Sequence, residues 1–431
     1  MKPKIYLFAL AIFALVASML AGIVCARNNA LQDFKKLYSE SIDNVQKPSA
    51  DVNLPQGGLS GDLNEEQRVS FLAAGDIVLH ESVFLDANLR AGESGVSGSV
   101  NAQSAYDFLP MYKYVADAIS LVDVAMVNQE TLVAASASGI PQGYPGFSGP
   151  AAAGDVLAEV GFDIVNIGNN HMLDQGSSGL NRSMDYWKSK NNIKMIGAYS
   201  SKSQCDDFLV IEKEGIKIAV LPYLGNTPGT NGYTPDSSLY IPYLNENLVR
   251  EQMTRAREAA DCVIVTIHWG TEGTYTPNFE QTSYAEMFAA LGADALIGTH
   301  PHVLQPIEWV ERAGYAKGGK MLVCYSLGDF LSHTQLAGGK NRLGNLLGGY
   351  VQFDIVKEDG SVSLENVVFT PTVSHYDEGS PLDVNFCIYP LEIYTEALLN
   401  RFGDPNAGFV SLDQLVSIVD KNIPEQFLKQ E

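Results

Sequence analysis

Six short strings in this chain carry residue types that hold metals or move protons. Asp76 ends "FLAAGD", and Asn128 and Glu130 follow "DVAMV". Asn169, Asn170, His171 and Asp174 lie in "NIGNNHMLDQG", and His268, Trp269 and Glu272 in "IHWGTE". His300 and His302 lie in "IGTHPHVLQP", and Asp329 in "YSLGDF". Imidazole nitrogen, carboxylate oxygen and amide oxygen are donors for Zn, Mn or Fe, and for Mg where oxygen dominates. Five of the seven histidines (His80, His171, His268, His300 and His302) fall in these strings or one helical turn beyond. In an extended backbone the His300-x-His302 pair turns both rings to one side. Tyr144, Phe147 and Trp269 are candidates to wall a cleft. His333 and His375 read as structural.

Each signal alone has an ordinary alternative. Asp76 could cap a helix. Asn128 and Glu130 could be turn residues, and "GNNH" an Asx-turn. His268 could be a satisfied core histidine, and His80 could sit on a helix face. Asp174 could orient His171 or cap the helix that follows. Their joint occurrence at the ends of apolar runs is what favours a site.

Those runs define the elements that must position them. "VSFLAAG", "DVAMVN", "FDIVNIG", "IKIAVLPY", "CVIVTIHW", "ADALIGTH" and "KMLVCYSLG" read as strands. Helical patterns lie between them, as in "AAAGDVLAEVG", "SGLNRSMDYWKSKN", "NENLVREQMTRAREAAD" and "FEQTSYAEMFAALGA". The alternation predicts an α/β fold with a sheet covered on both faces. In such folds ligands bind at the carboxyl ends of the strands, where these polar residues fall. "YVQFDIV" and "GSVSLENVVFTPTV", joined through "EDGS", predict a hairpin.

The 431 residues divide into four expected regions: 1–26, 27–66, 67–372 and 373–431. In the first, Lys2 and Lys4 precede an apolar run from Ile5 to Val24, long enough to span a bilayer. It reads either as a signal peptide cleaved after Ala26 or as an uncleaved anchor. "GIVC" lacks the leucine a lipidated cysteine expects. Each reading puts the rest of the chain outside the cytoplasm. Residues 27–66 read as a polar linker, and 373–431 as an extension with a helix or two. Cys262 and Cys324 sit in strand-like runs as buried free thiols. The formal charge of −22 excludes a general nucleic-acid-binding protein. Residues beyond 26 carry 26 basic groups against 50 acidic ones, a balance of −24.

"FLAAGDIVLH", "VNQETL", "GYPGFSGP", "NIGNNHMLDQG", "IHWGTE", "IGTHPHVLQPIEW" and "YSLGDF" resemble, in order, the motif series of the capsule-synthesis CapA family. That family is linked to poly-γ-glutamate synthesis, and the resemblance covers residues 69–333. It implies a divergent calcineurin-type metallophosphoesterase domain, a layered β-sandwich flanked by helices. It implies one or two divalent metal ions (Mn, Zn, Fe or Mg) on Asp76, Glu130, Asn170, His268, His300 and His302. His171 would be the general acid, with Asp174 the candidate to orient it. Asn128, Tyr144, Trp269 and Glu272 would lie on the substrate side. Two departures point to one well-held metal and a weaker second. The D-x-H of the first strand is absent, since His80 comes four residues after Asp76, and Glu130 stands where the superfamily has Asp.

Three functions compete. The first is a metal-dependent hydrolase of a phosphoester or related bond in an envelope polymer or its precursor, on the extracytoplasmic face. The second is a non-catalytic, membrane-anchored polymer-binding or export component that works with other capsule or poly-γ-glutamate synthesis proteins. The third is a purely structural envelope protein. At this charge the chain repels a polyanion over a Debye length of about 8 Å. Contact with one therefore needs bound metal or a local basic patch. Lys35–Lys36 is the only adjacent basic pair in the sequence, so a metal-mediated contact is expected.

Overall fold

The apolar runs become fourteen strands in a computed structural model that describes residues 67–92, 101, 104–225, 235–333, 343–379, 382–402 and 411–428. The expected leader and linker lie outside the described residues. Among those described, no helix is long and apolar enough to cross a membrane.

The strands are β1 (Gln67–Ile77), β2 (Val124–Gln129), β3 (Ile164–Asn166), β4 (Lys194–Ile196), β5 (Leu209–Lys213), β6 (Ile216–Leu224) and β7 (Cys262–His268). They continue with β8 (Ala295–Thr299), β9 (Ile307–Glu311), β10 (Lys320–Cys324), β11 (Asp329–Leu331), β12 (Leu347–Glu358), β13 (Ser361–Asp377) and β14 (Val384–Pro390). One sheet has the order β14-β13-β12-β1-β2-β3-β4, with β11 also pairing β1. The other has the order β5-β6-β7-β8-β10-β9. Both are mixed: β1, β2, β3 and β4 run parallel in the first, and β6, β7, β8 and β10 in the second.

In place of one sheet covered on both faces, the layered β-sandwich that the resemblance implied forms: two mixed sheets pack on each other. Phe71, Ala73, Met126 and Phe353 of the first sheet share one buried cluster with Ile218, Val220, Ile264 and Ile297 of the second. Each strand turns alternate residues to opposite faces, so the other face of each sheet is left for helices. On the first sheet, Val83, Val156, Leu180 and Trp187 bring helices Glu81–Arg90, Ala151–Val160 and Gly176–Lys188 against it. On the second, Val249, Met253, Ala285 and Phe288 bring Glu246–Ala259 and Phe279–Ala290. The order of layers is helix, sheet, sheet, helix. Continuous burial of β2, β7 and β8 follows, and explains why those strands read as unbroken apolar runs.

The "EDGS" turn is as expected. Glu358 pairs with Ser361 across Asp359 (φ 49°) and Gly360 (φ 74°), the left-handed pair of a two-residue hairpin loop. The expected boundary at residue 372 falls inside β13, and β14 extends the same sheet. Leu415 and Val419 of helix Leu412–Asn422 complete the inter-sheet core. Cys205, Cys262, Cys324 and Cys387 are buried and free.

Ile264 is fully buried between the sheets. Ile264→Ala is expected to lower unfolding free energy by about 2–5 kcal/mol in denaturant titration. A loss below about 1 kcal/mol would contradict close packing between the sheets.

Candidate metal centre

Two Gly-Asp dipeptides fix the first corner of the site. Asp76 and Asp329 are paired neighbours in the parallel β1–β11 ladder, and Asp76 N–H donates to Gly328 O at 2.9 Å. A Cβ on Gly75 would lie 2.1 Å from Gly328 O, so only glycine lets the backbones approach this closely. Asp76 thus belongs to a strand and caps no helix.

A chain of amides holds it in place. Asn166 donates to Asn128 Oδ1 at 3.1 Å, and Asn128 Nδ2 donates to Asp76 Oδ1 at 2.6 Å. His300 N–H donates to the other carboxylate oxygen of Asp76 at 3.0 Å. Asn128 therefore spends its groups on orienting Asp76 and lies behind the ligands, which corrects its expected place on the substrate side.

The "GNNH" loop is both things at once. Asn169 makes the turn, accepting from His171 N–H at 3.1 Å and donating to Gln129 O at 3.1 Å. Asn170 and His171 are thereby turned into the site. Asn170 Oδ1 lies 2.9 Å from His268 Nε2, which lies 3.1 Å from His300 Nδ1. Thr299 Oγ1 sits 3.0 Å from His268 Nδ1 and fixes that ring.

Glu130 is at the centre. Its carboxylate is fully buried, and neither oxygen has a hydrogen-bond partner among the described residues. Its Oε1 lies 3.5 Å from His302 Nε2 and 3.8 Å from both His268 Nε2 and His171 Nε2. His302 Nδ1 lies 2.8 Å from Asp329 Oδ1 and 3.8 Å from Asp76 Oδ2. Three overlapping triads have donor atoms mutually within 4.8 Å: Glu130–His300–His302, Asp76–His302–Asp329 and Asp76–Glu130–His268.

Burial sets the charges. It pushes the Asp76 carboxyl up to about 6 and that of Glu130 well above the usual range. It pushes His268 well below the ordinary imidazole value and His300 down to about 3, with His302 adding to both. Both rings are therefore neutral, the form that donates a lone pair to a metal. Burial also opposes protonation of His302, but Glu130, Asp329 and Asp76 outweigh it and hold that ring well above its ordinary value. An orphaned buried carboxylate beside neutral imidazoles and an amide oxygen fits a divalent cation.

His171 and Asp174 form a separate pair. Asp174 Oδ2 lies 2.8 Å from His171 Nδ1 and accepts from Phe147 N–H at 3.1 Å. The helix Gly176–Lys188 begins after Gln175 with no side-chain cap, so Asp174 orients the imidazole. Phe147 packs edge-on against His171, ring centroids 4.8 Å apart.

Glu130, His171, His302 and Asp329 open onto a cleft of 760 Å³ that Tyr144 and Glu272 also line. Its described lining contains no lysine or arginine. Trp269 is corrected: it is fully buried on the far side of its strand and donates to Tyr325 O at 3.0 Å. Neighbours in a strand face opposite ways, so if His268 enters the site, Trp269 cannot. His300 and His302 do reach one site, but not from an extended backbone. Their φ angles are 98° and 55°, a rare conformation for residues with a Cβ.

Two further histidines line the wall: His333, which reads as structural in the sequence, and His80, which the sequence leaves between the site and a helix face. His333 lines the cleft, held by Asp383 at 2.8 Å, and His80 lines it between Phe147 and His333. Burial and neighbouring imidazoles push His80 down to about 3. Position near other strand-end motifs was the only signal for either. Asp329 was visible as a strand-end acid, but its contact with His302 was not.

Residues 70–334 match the family described as bacterial capsule synthesis protein PGA_cap. The chain belongs to that family. Relatives include the PGA biosynthesis protein CapA of Bacillus subtilis, 32% identical over 187 residues, covering 41% of this chain and 44% of that protein. The capsule biosynthesis protein CapA of Bacillus anthracis is 25% identical over 244 residues, 56% and 54% of the two chains. The matched stretches thus span about half the length of these relatives. Solved structures that superpose on the chain include a putative 5′-nucleotidase from Staphylococcus aureus, at 12% identity and TM-score 0.40, over 81% of this chain and 58% of that one. The calcineurin-like phosphoesterase YfkN from Bacillus subtilis superposes at 11% identity and TM-score 0.39, over 83% and 97%. The motif series read in the sequence is thus that of the capsule synthesis family.

Glu130→Gln keeps the shape of this family member's site and removes the buried charge. Thermal unfolding of the chelated protein is expected to occur at the same or a higher temperature than wild type, while stabilisation by added Mn²⁺ is lost. An unchanged Mn²⁺ response would remove Glu130 from the ligand set.

Proposed function

We propose that the chain is a metal-dependent hydrolase of the phosphoesterase type, acting on an envelope polymer or its precursor during capsule or poly-γ-glutamate synthesis. The observation that carries this reading is the placing of an aimed acid beside a metal-binding cluster at the floor of an open cleft. His171 Nε2 faces the Glu130 carboxylate at 3.8 Å while Asp174 holds Nδ1.

The ligands would be Asp76, Glu130, Asn170, His268, His300 and His302, with Asp329 as a further carboxylate beside His302. When bound, one or two divalent cations supply Lewis-acid polarisation of a phosphoryl oxygen and activation of water. With the Asp174 oxygen as acceptor, the Nδ1 of His171 carries a hydrogen toward it and Nε2 is the atom left to serve the leaving oxygen. Glu272 and Tyr144 would contact the substrate, with His80 and His333 also lining the cleft. With no lysine or arginine in the described lining, a substrate phosphate would rely on metal and imidazole for its countercharge.

The relatives are named as PGA and capsule biosynthesis proteins, which supports the process. The apolar run 5–24 supports attachment to the membrane, or secretion if the leader is removed, with the cleft on the extracytoplasmic face. Other capsule synthesis proteins would be its partners there.

The test is metal analysis of the purified protein together with a phosphodiester and phosphomonoester screen in Mn²⁺. His171→Ala is expected to keep its metal and lose about 10²–10⁴-fold in turnover. Wild type that binds metal and turns over neither ester class would overturn the hydrolase and leave a binding component. Loss of metal in His171→Ala would overturn the role given to that residue.

A further inference from the structure

The way the chain leaves β1 places His80. Val78 N–H donates to Leu331 O at 2.8 Å and Leu79 N–H to Thr131 Oγ1 at 2.8 Å, which keeps this exit extended. Alternation turns Leu79 into the core, and Val78 and His80 toward the cleft. His80 holds the N-cap position of helix Glu81–Arg90, yet its side chain makes no capping bond. Its ring lies edge-on between Phe147 and His333, with centroids 5.2 Å and 6.0 Å away. Neither ring nitrogen has a hydrogen-bond partner among the described residues.

His333 is fixed where the chain leaves β11. Just before it, Ser332 N–H donates to Ser374 Oγ at 2.8 Å, and that hydroxyl donates back to Ser332 O at 2.8 Å. The His333 ring packs edge-on against Tyr376 and Phe386, with centroids 4.8 Å and 5.5 Å away. Its Nε2 lies 2.8 Å from Asp383 Oδ2, and Gly379 N–H donates to the other Asp383 oxygen at 3.0 Å. Burial lowers both rings below the ordinary imidazole value, in His333 against the pull of Asp383. Both are therefore neutral near pH 7. With its hydrogen on Nε2 toward Asp383, His333 keeps a bare Nδ1, which has no partner among the described residues. His80 keeps one N–H and one lone pair. Two acceptors and one donor are thus left unused on the wall of the cleft.

We propose that His80 and His333 bind the hydroxyl groups of a polyol, a glycerol-like part of the substrate beside the phosphoryl group. This deepens the hydrolase reading and rests on it for the group that sits at the metal. A carboxylate only accepts hydrogen bonds, and would leave both lone pairs unmet. An ammonium only donates, and would leave the His80 N–H unmet. Neighbouring hydroxyls donate and accept, and meet all three. Position agrees with this. Phe147 packs against His171 at 4.8 Å and against His80 at 5.2 Å, so the part of a substrate beyond an oxygen served by His171 comes past Phe147 to His80. The exposed ring of Tyr144, 5.9 Å from that of Phe147, adds an apolar face for a carbon chain. Neither His80 nor His333 belongs to the three metal-binding triads.

The test is calorimetric titration of the full chain, loaded with Mn²⁺, with three phosphonates whose C–P bond resists hydrolysis: propylphosphonate, 2,3-dihydroxypropylphosphonate and 3-aminopropylphosphonate. The dihydroxy compound is expected to bind about tenfold more tightly than propylphosphonate. His80→Phe keeps a ring between Phe147 and His333 but removes both nitrogens, so it should retain its metal and lose that preference. His80→Gln, which restores a donor and an acceptor, should recover part of it. His333→Phe tests the other ring should His80→Phe fail to fold, and is expected to weaken the preference. Equal binding of the propyl and dihydroxypropyl compounds by wild type, or an undiminished preference in these Phe variants, would overturn the proposal. Tighter binding of the amino compound than of the dihydroxy one would overturn it in favour of a cation site. The hydrolase reading fails separately: a preference for the dihydroxy compound with no turnover of the matching phosphate esters would overturn hydrolysis and leave the polyol site. Turnover without the preference would overturn the polyol site alone, and binding of none of the three would overturn both.

Discussion

The structure depends on one buried carboxylate that no hydrogen bond satisfies among the described residues. Glu130 buries a carboxylate with no hydrogen-bond donor among the described residues, facing three imidazoles at 3.5–3.8 Å. An isolated buried ion costs several kcal/mol after relaxation, and its protonation is the escape that its raised pKa reflects. Asp76 has the same difficulty, eased by two donated hydrogen bonds. A divalent cation satisfies both, and the neutral rings of His268 and His300 are in the state to share it. A bound cation would therefore stabilise this corner as well as supply chemistry.

The two-sheet architecture is what allows so many polar groups to meet. Asp76 and Asn128 come from strands of one sheet, Asn170 and His171 from the loop after β3, and His268, His300 and His302 from the other sheet. Packing the sheets face to face brings their carboxyl ends to one edge, and loops there can converge without entering the core. The cost is local. Left-handed backbone at His300 and His302, and glycine contacts at Gly75 and Gly328, are conformations only a well-packed frame sustains.

Much of this was legible in the sequence. Strand-end position picked out Asp76, Glu130, His268, His300 and His302, because apolar runs end where strands leave the core. The "GNNH" question between turn and site has both answers: Asn169 makes the turn, and Asn170 is thereby brought against His268. Trp269 was misplaced although period-two alternation already put it opposite His268. Asn128 looked like a site residue by position, but its partners Asp76 and Asn166 are distant in sequence, so its supporting role was hidden. His333 read as structural because Asp383, which holds it against the cleft, lies 50 residues on.

The fold thus gathers its buried acids and imidazoles where the carboxyl ends of the two sheets meet. The central claim concerns that meeting point, and the most direct measurement is anomalous diffraction from crystals of the protein grown in Mn²⁺. The account predicts a peak at coordination distance, about 2 Å, from a Glu130 oxygen, with His302 and either His300 or Asp76 among its other neighbours. Full-occupancy Mn²⁺ elsewhere in the crystal, with none beside Glu130, would contradict it.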